Sequence, residues 1–211
     1  MKNKHLIISV FALYFSVFNM FAQEEMSVGE QEIFKEKVRE TAANTQSITS
    51  DFIQEKHISV LDNVITAEGK LVFKAPGLVK WEYITPYQST AVFKDDKLYV
   101  NEEGKKSEVD LSKNKLFRSL NSLIVSSIKG DMFDESQFEL SYFKTESGYL
   151  VRFIPKEKKI KKYIASFELK FSEDNAEVTE VKLIEPNEDY TAITFKNKRL
   201  NAPVSNSVFE N

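Results

Sequence analysis

Cysteine is absent from the 211 residues. No disulfide can form, and no thiol nucleophile or thiolate metal site exists. Histidine is nearly absent as well: His5 lies in the first few residues, which leaves His57 alone in the body of the chain. A single histidine cannot build a His-rich zinc site, and no H-E-x-x-H spacing occurs. A serine triad would have to use His57, but no G-x-S-x-G elbow is present. With six glycines in all, there is no G-x-G-x-x-G turn and no phosphate-cradling P-loop. The adjacent carboxylates Glu102-Glu103 and Glu188-Asp189 fall at turn signals, where such pairs are solvated, so glycosidase chemistry has no seat. His57 reads as a solvent-facing strand residue. These gaps argue against an enzyme.

After Lys2, Lys4 and His5, the run from Leu6 to Phe18 carries no charge. It passes through Asn19-Met20-Phe21-Ala22 to Gln23 and the acidic pair Glu24-Glu25. A basic start, a short apolar centre and a small residue before the break read as a secretory signal peptide spanning 1–22, cleaved after Ala22. The run is short for a membrane anchor, which needs about 20 apolar residues. No other stretch is long enough to cross a bilayer. The leader has no acylation cysteine, so the mature chain is expected to be soluble in the periplasm of a two-membrane bacterium. Removing Lys2 and Lys4 leaves 27 basic against 32 acidic side chains, a formal charge of −5. That mild acidity argues against nucleic acid as a partner.

The mature chain, 23–211, reads as one domain. Ser27-Val28-Gly29-Glu30 is a capping box, and Phe34, Val38, Thr41 and Ala42 recur at helical spacing, so a helix is expected from Ser27 to about Gln46. Period-2 alternation then takes over. Ile65, Ala67, Gly69, Leu71 and Phe73 share one face, and Val79, Trp81 and Tyr83 follow after the Pro76-Gly77 turn. Short strands are expected near Thr90–Phe93, Lys97–Val100 and Ser107–Leu111. A second helix interrupts them: Leu116, Phe117, Leu120, Leu123, Ile124 and Ile128 repeat at threes and fours until Gly130. Five more strands run from Phe138 to Asn197. The sum is a mainly β (α+β) chain of about eleven antiparallel strands in one curved or partly closed sheet, with helices on its concave face.

The stretch Gly69-Lys70-Leu71-Val72-Phe73-Lys74-Ala75-Pro76-Gly77-Leu78-Val79-Lys80-Trp81-Glu82-Tyr83-Ile84-Thr85-Pro86 resembles the signature of the bacterial LolA family, periplasmic carriers of outer-membrane lipoproteins. Phe52-Ile53-Gln54 matches the F-x-Q element of that family's first strand. Asp95-Asp96-Lys97-Leu98-Tyr99 matches its next hairpin, with Asp96 where glycine is common. Tyr190 to Asn197 resembles its last strand, and Asn201 to Phe209 its terminal tail. Two features depart from the pattern. Ala75 stands where members carry an arginine that holds the helical lid shut, with Lys74 one residue earlier, and no glycine precedes the last strand within Glu185-Pro186-Asn187-Glu188-Asp189.

The resemblance implies a half-barrel closed by helices around an apolar cavity. It implies a monomer without cofactor or metal that takes acylated lipoproteins from an inner-membrane lipoprotein-releasing ABC transporter. The cargo then goes to the outer membrane, to an acceptor there where one exists. The expected cavity lining is Leu71, Phe73, Val79, Trp81, Tyr83, Ala91 and Phe93; the expected lid face is Leu116, Phe117, Leu120, Leu123, Ile124 and Ile128. The composition suits such a cavity, with 17 phenylalanines, 8 tyrosines and 1 tryptophan, because stiff aromatic groups can line a space without collapsing into it. The plainer reading of the same alternation is ordinary core packing. A lipid-sensing regulator, or another lipid- or glycolipid-binding periplasmic protein, is the alternative within the same fold. The five lysines of Lys156–Lys162 read as an exposed hairpin that guards a sheet edge, with docking to anionic headgroups or an acidic partner as the second reading.

Overall fold

A computed structural model describes residues 23–111 and 132–210. The expected leader and the expected lid residues Leu116, Phe117, Leu120, Leu123, Ile124 and Ile128 lie outside the described residues. The elements are β1 (Glu24–Glu25), α1 (Val28–Ala43), β2 (Ser47–His57), β3 (Ile65–Lys74), β4 (Leu78–Thr85), β5 (Ser89–Lys94), β6 (Lys97–Glu102), β7 (Lys105–Asp110), β8 (Phe138–Thr145), β9 (Gly148–Pro155), α2 (Lys158–Lys161), β10 (Ser166–Ser172), β11 (Val178–Ile184) and β12 (Tyr190–Leu200), followed by a 3-10 turn at Asn206–Phe209. The strands form one open antiparallel sheet in the order β1-β8-β9-β10-β11-β12-β2-β3-β4-β5-β6-β7.

Among the described residues, twelve strands stand where about eleven were expected. The added one, β1, pairs only Glu24 with Lys144 and Glu25 with Phe143, and two residues are too few to show a period. The lysine run also differs from expectation. It forms the helical turn α2 between β9 and β10, two inner strands, rather than a hairpin at an edge. Ile160 is buried there and pulls the segment into a turn, while Lys158, Lys159, Lys161 and Lys162 remain exposed.

Register decides which side chains share a face. Opposed pairs run from Leu140↔Phe153 through Phe153↔Phe167, Phe167↔Leu183, Val181↔Ile193, Phe195↔Phe52, Ser50↔Leu71 and Leu71↔Trp81 to Trp81↔Ala91. Directly opposed residues point the same way, so one largely apolar face continues from β8 to β5. Gly69 makes part of that face possible: a Cβ there would lie 2.1 Å from the Glu82 carbonyl oxygen and 2.5 Å from Phe52 Cζ.

Helix α1 lies on this face. Ser27 caps it in the expected box: its Oγ accepts from Glu30 N–H at 3.4 Å, and its own N–H donates to Glu30 Oε2 at 2.9 Å. A hydrogen bond from Lys144, and then those from Ser27, hold the Glu30 carboxyl at about 2, below its ordinary 4.5. Phe34 and Val38 are the buried apolar residues of α1. Phe34 meets the rings of Tyr149 at 4.8 Å, Phe171 at 5.1 Å and Phe133 at 5.9 Å. The far end of α1 is tied to the β10–β11 turn: Thr41 Oγ1 donates to the Asn175 carbonyl at 2.6 Å, and Lys37 Nζ to that of Glu173 at 2.5 Å. The C-terminal tail runs on the opposite face, where Lys74 Nζ donates to the Val204 carbonyl and to Asn206 Oδ1, each at 2.7 Å.

Candidate functional site

Beyond Val38, Thr41 and Ala42 of α1 and Thr45 just past its end continue the inward side with short side chains. The space they leave is a partly open cleft of about 100 Å³. That is below the range of about 300–1,000 Å³ common to ligand sites, so a guest of that size enters only if the walls part. Ile48 of β2, Leu71 of β3 and Trp81 of β4 form one wall; Ala176, Val178 and Val181 form the other; Phe195 and Leu200 of β12 lie between them. Strands β4 and β11 are four steps apart in the sheet, or about 19 Å if it were flat. Their side chains reach one cleft because the sheet bends around it.

The cleft is apolar inside and charged at one margin. Lys198 and Glu177 both line it and pair at 3.3 Å, each with little of its side chain exposed. Lys198 Nζ also donates to the Val178 carbonyl and sits 5.8 Å from the Phe195 ring centroid. Desolvation pulls the Lys198 ammonium below its ordinary value, and the Glu177 carboxylate opposes that shift only in part.

All seven sheet residues expected to line a cavity lie on the apolar face, at different depths. Leu71 and Trp81 line the cleft. Phe73 and Val79 are buried with Phe52 in the packed layer beside it, and Phe93 packs against that layer. Ala91 stands opposite Trp81. Tyr83 donates its hydroxyl to Gln54 Oε1 at 2.9 Å; burial first, then Tyr87, pushes its phenol up to about 12. The Trp81 ring packs edge-on to Phe52 at 5.1 Å and tilted to Phe195 at 6.0 Å. Its Nε1 is sealed from solvent and has no hydrogen-bond partner among the described residues. Such an unmade bond costs about 1–3 kcal/mol.

Sequence reasoning missed most of the lining: the wall below Val38, Ile48, the turn residues Ala176 and Glu177, Val178 and Val181 of β11, and Phe195, Lys198 and Leu200 of β12. Thr41 and Ala42 stood in a helical stripe and Ile48 in a strand, but neither pattern said anything of a space beside it. His57 ends β2 on the opposite face and stacks on Tyr190 at 4.2 Å. Among the described residues, no group of three or more metal-ligating side chains comes together. Lys74, beside the position of the missing arginine, grips the C-terminal tail instead.

Residues 43–211 match the model of the family described as outer membrane lipoprotein carrier protein LolA. No curated protein sequence matches the chain. Solved structures are similar to it at low identity. MucB is 13% identical over 87% of this chain and 63% of its own, with a TM-score of 0.50. A DUF1329 family protein from Desulfovibrio piger is 13% identical over 85% of this chain and 96% of its own, at 0.49. A LolA superfamily protein from Nitrosomonas europaea is 9% identical over 85% and 97%, at 0.47.

Proposed function

The chain belongs to the LolA family, and from that premise we propose that it is a periplasmic carrier that holds the acyl chains of lipoproteins in the cleft between α1 and the sheet. It ferries them from the inner membrane to the outer membrane. The observation that carries this reading is the cleft itself: an apolar space walled by Leu71, Trp81, Val181 and Phe195, with a charged pair at its margin. Residues 1–22 serve as the leader in this reading. An inner-membrane lipoprotein-releasing ABC transporter supplies the cargo, and an outer-membrane acceptor receives it where one exists.

Magnitudes favour a carrier that is not filled to capacity. Each buried methylene contributes about 0.8 kcal/mol, so a fully buried sixteen-carbon chain gains roughly 12 kcal/mol gross. Several such chains would exceed the practical affinity ceiling of about 20 kcal/mol, and delivery would stop. A cleft whose walls must part to admit cargo subtracts that cost from the affinity, which allows release.

Photo-crosslinkers at positions 71 and 181 of the exported protein, both in the cleft wall, followed by mass spectrometry of what they capture, test the proposal. Acylated lipoproteins are the expected catch. Capture of a membrane-bound regulator in their place would move the reading to a lipid sensor. Recovery of neither acyl lipid nor lipoprotein would overturn it.

A further inference from the structure

The wall of the cleft holds one polar group, sealed from solvent while the walls are closed, that the protein itself does not use. Thr41 donates to the Asn175 carbonyl and Thr45 to the Thr41 carbonyl, while Lys198 pairs with Glu177. Of the polar side chains lining the cleft, Trp81 alone lacks a partner among the described residues. Its neighbours explain why. Leu71 and Ala91 stand directly across on β3 and β5. The rings of Phe52 and Phe195 flank it. The next polar side chain on this face of β4, Tyr83, is engaged with Gln54. None of the four neighbours offers a side-chain acceptor. A phenylalanine would fill much of the same wall and strand no donor, yet the chain places its one tryptophan here.

The missing acceptor must be uncharged, because an ion held among these apolar groups without a counter-charge would be strongly disfavoured. It must also belong to a molecule that is otherwise apolar where it meets the walls. We infer that the indole N–H of Trp81 donates to the ester or amide carbonyl of a bound acyl chain, so that the cleft selects acyl-linked lipids over alkyl-linked ones. This rests on the carrier reading and adds to it a discriminating contact at the first carbon of the chain.

Two soluble lipids separate the possibilities: palmitoyl lysophosphatidylcholine and its O-hexadecyl ether analogue. They share headgroup and chain length and differ in the carbonyl. Calorimetric titration of the mature protein below the micelle threshold should show the ester binding about tenfold more tightly, the scale of one buried hydrogen bond. Trp81→Phe should remove that preference, so that the ester and ether lipids bind the variant with affinities within about twofold of each other. Equal binding of both lipids to the wild type would overturn the inference and leave the carrier reading intact, and it needs no variant to fold. A preference that persists in Trp81→Phe would overturn it as well, since the carbonyl would then be read elsewhere. Binding of neither lipid would remove the carrier reading and this inference together.

Discussion

Phe34→Ala tests whether α1 is a docked wall of the cleft. Phe34 is 2% exposed, and with Val38 it supplies the buried apolar contact of the helix. Four rings surround it: Tyr149, Phe171, Phe133 and Tyr142, at centroid distances from 4.8 to 6.4 Å. Emptying such a position costs about 3–5 kcal/mol. For a domain of this size each kcal/mol lowers Tm by about 2–4 °C, so the midpoint should fall by about 6–20 °C. The hydrogen bonds of Lys37 and Thr41 to the β10–β11 turn survive the change, so the loosening should begin at the N-terminal half of α1. Hydrogen exchange should therefore accelerate more in α1 than in β9 and β10, and acyl-lipid affinity should drop because one wall no longer holds its place. Ile33→Ala is the control: Ile33 is 73% exposed on the same helix, and its loss should cost no more than about 0.5 kcal/mol. A Phe34→Ala protein within 1 kcal/mol of wild type would refute the reasoning.

Gly69→Ala should destabilise the sheet by about 1–3 kcal/mol or more, read as a lower urea midpoint, because the new methyl meets the backbone of β4, which cannot rotate away. An unchanged midpoint would mean that β3 and β4 separate easily. Glu30 makes stability depend on acid. Its folded value of about 2 lies below the ordinary 4.5, so its contribution is fully present above about 4.5 and is lost as pH falls towards 2. The stability gap between wild type and Glu30→Gln should accordingly close over that window; a gap independent of pH would show that the Ser27 and Lys144 contacts do not act through the carboxylate's charge.

Strands were legible wherever a side chain had to be large and face inwards. Leu71, Phe73, Val79 and Trp81 alternate with Lys70, Val72, Lys74 and Lys80, and three of the latter four are charged, so the face was readable without the fold. The capping box at Ser27 and Glu30 fixed the start of α1 for a similar reason: it is a local bond between residues three apart. β1 was not legible, because its two residues take their conformation from Phe143 and Lys144, over a hundred residues away. The turn α2 was hidden by its own charge, since one buried Ile160 among lysines determines its path.

The cleft belongs to a different order of problem. Hydrophobic patterning marks the positions that fill space, whereas a binding cleft is defined by positions that leave it empty. Thr41, Ala42, Thr45 and Ala176 shape this one through the volume they lack, and small residues at those sites look like any others in a sequence. Large residues were therefore the natural candidates for the lining, and most of them, Phe73 and Val79 in particular, prove to be packed floor beside the space. Leu71 and Trp81 are the exceptions that line the cleft, and Trp81 also carries a polar atom that has no partner among the described residues. Size put Trp81 in the wall, and chemistry sets it apart from the rest of that wall. A carrier must hold many cargoes loosely through shapeless apolar contact, so any selectivity it has must come from a group like this one, whose bond a hydrocarbon wall cannot make.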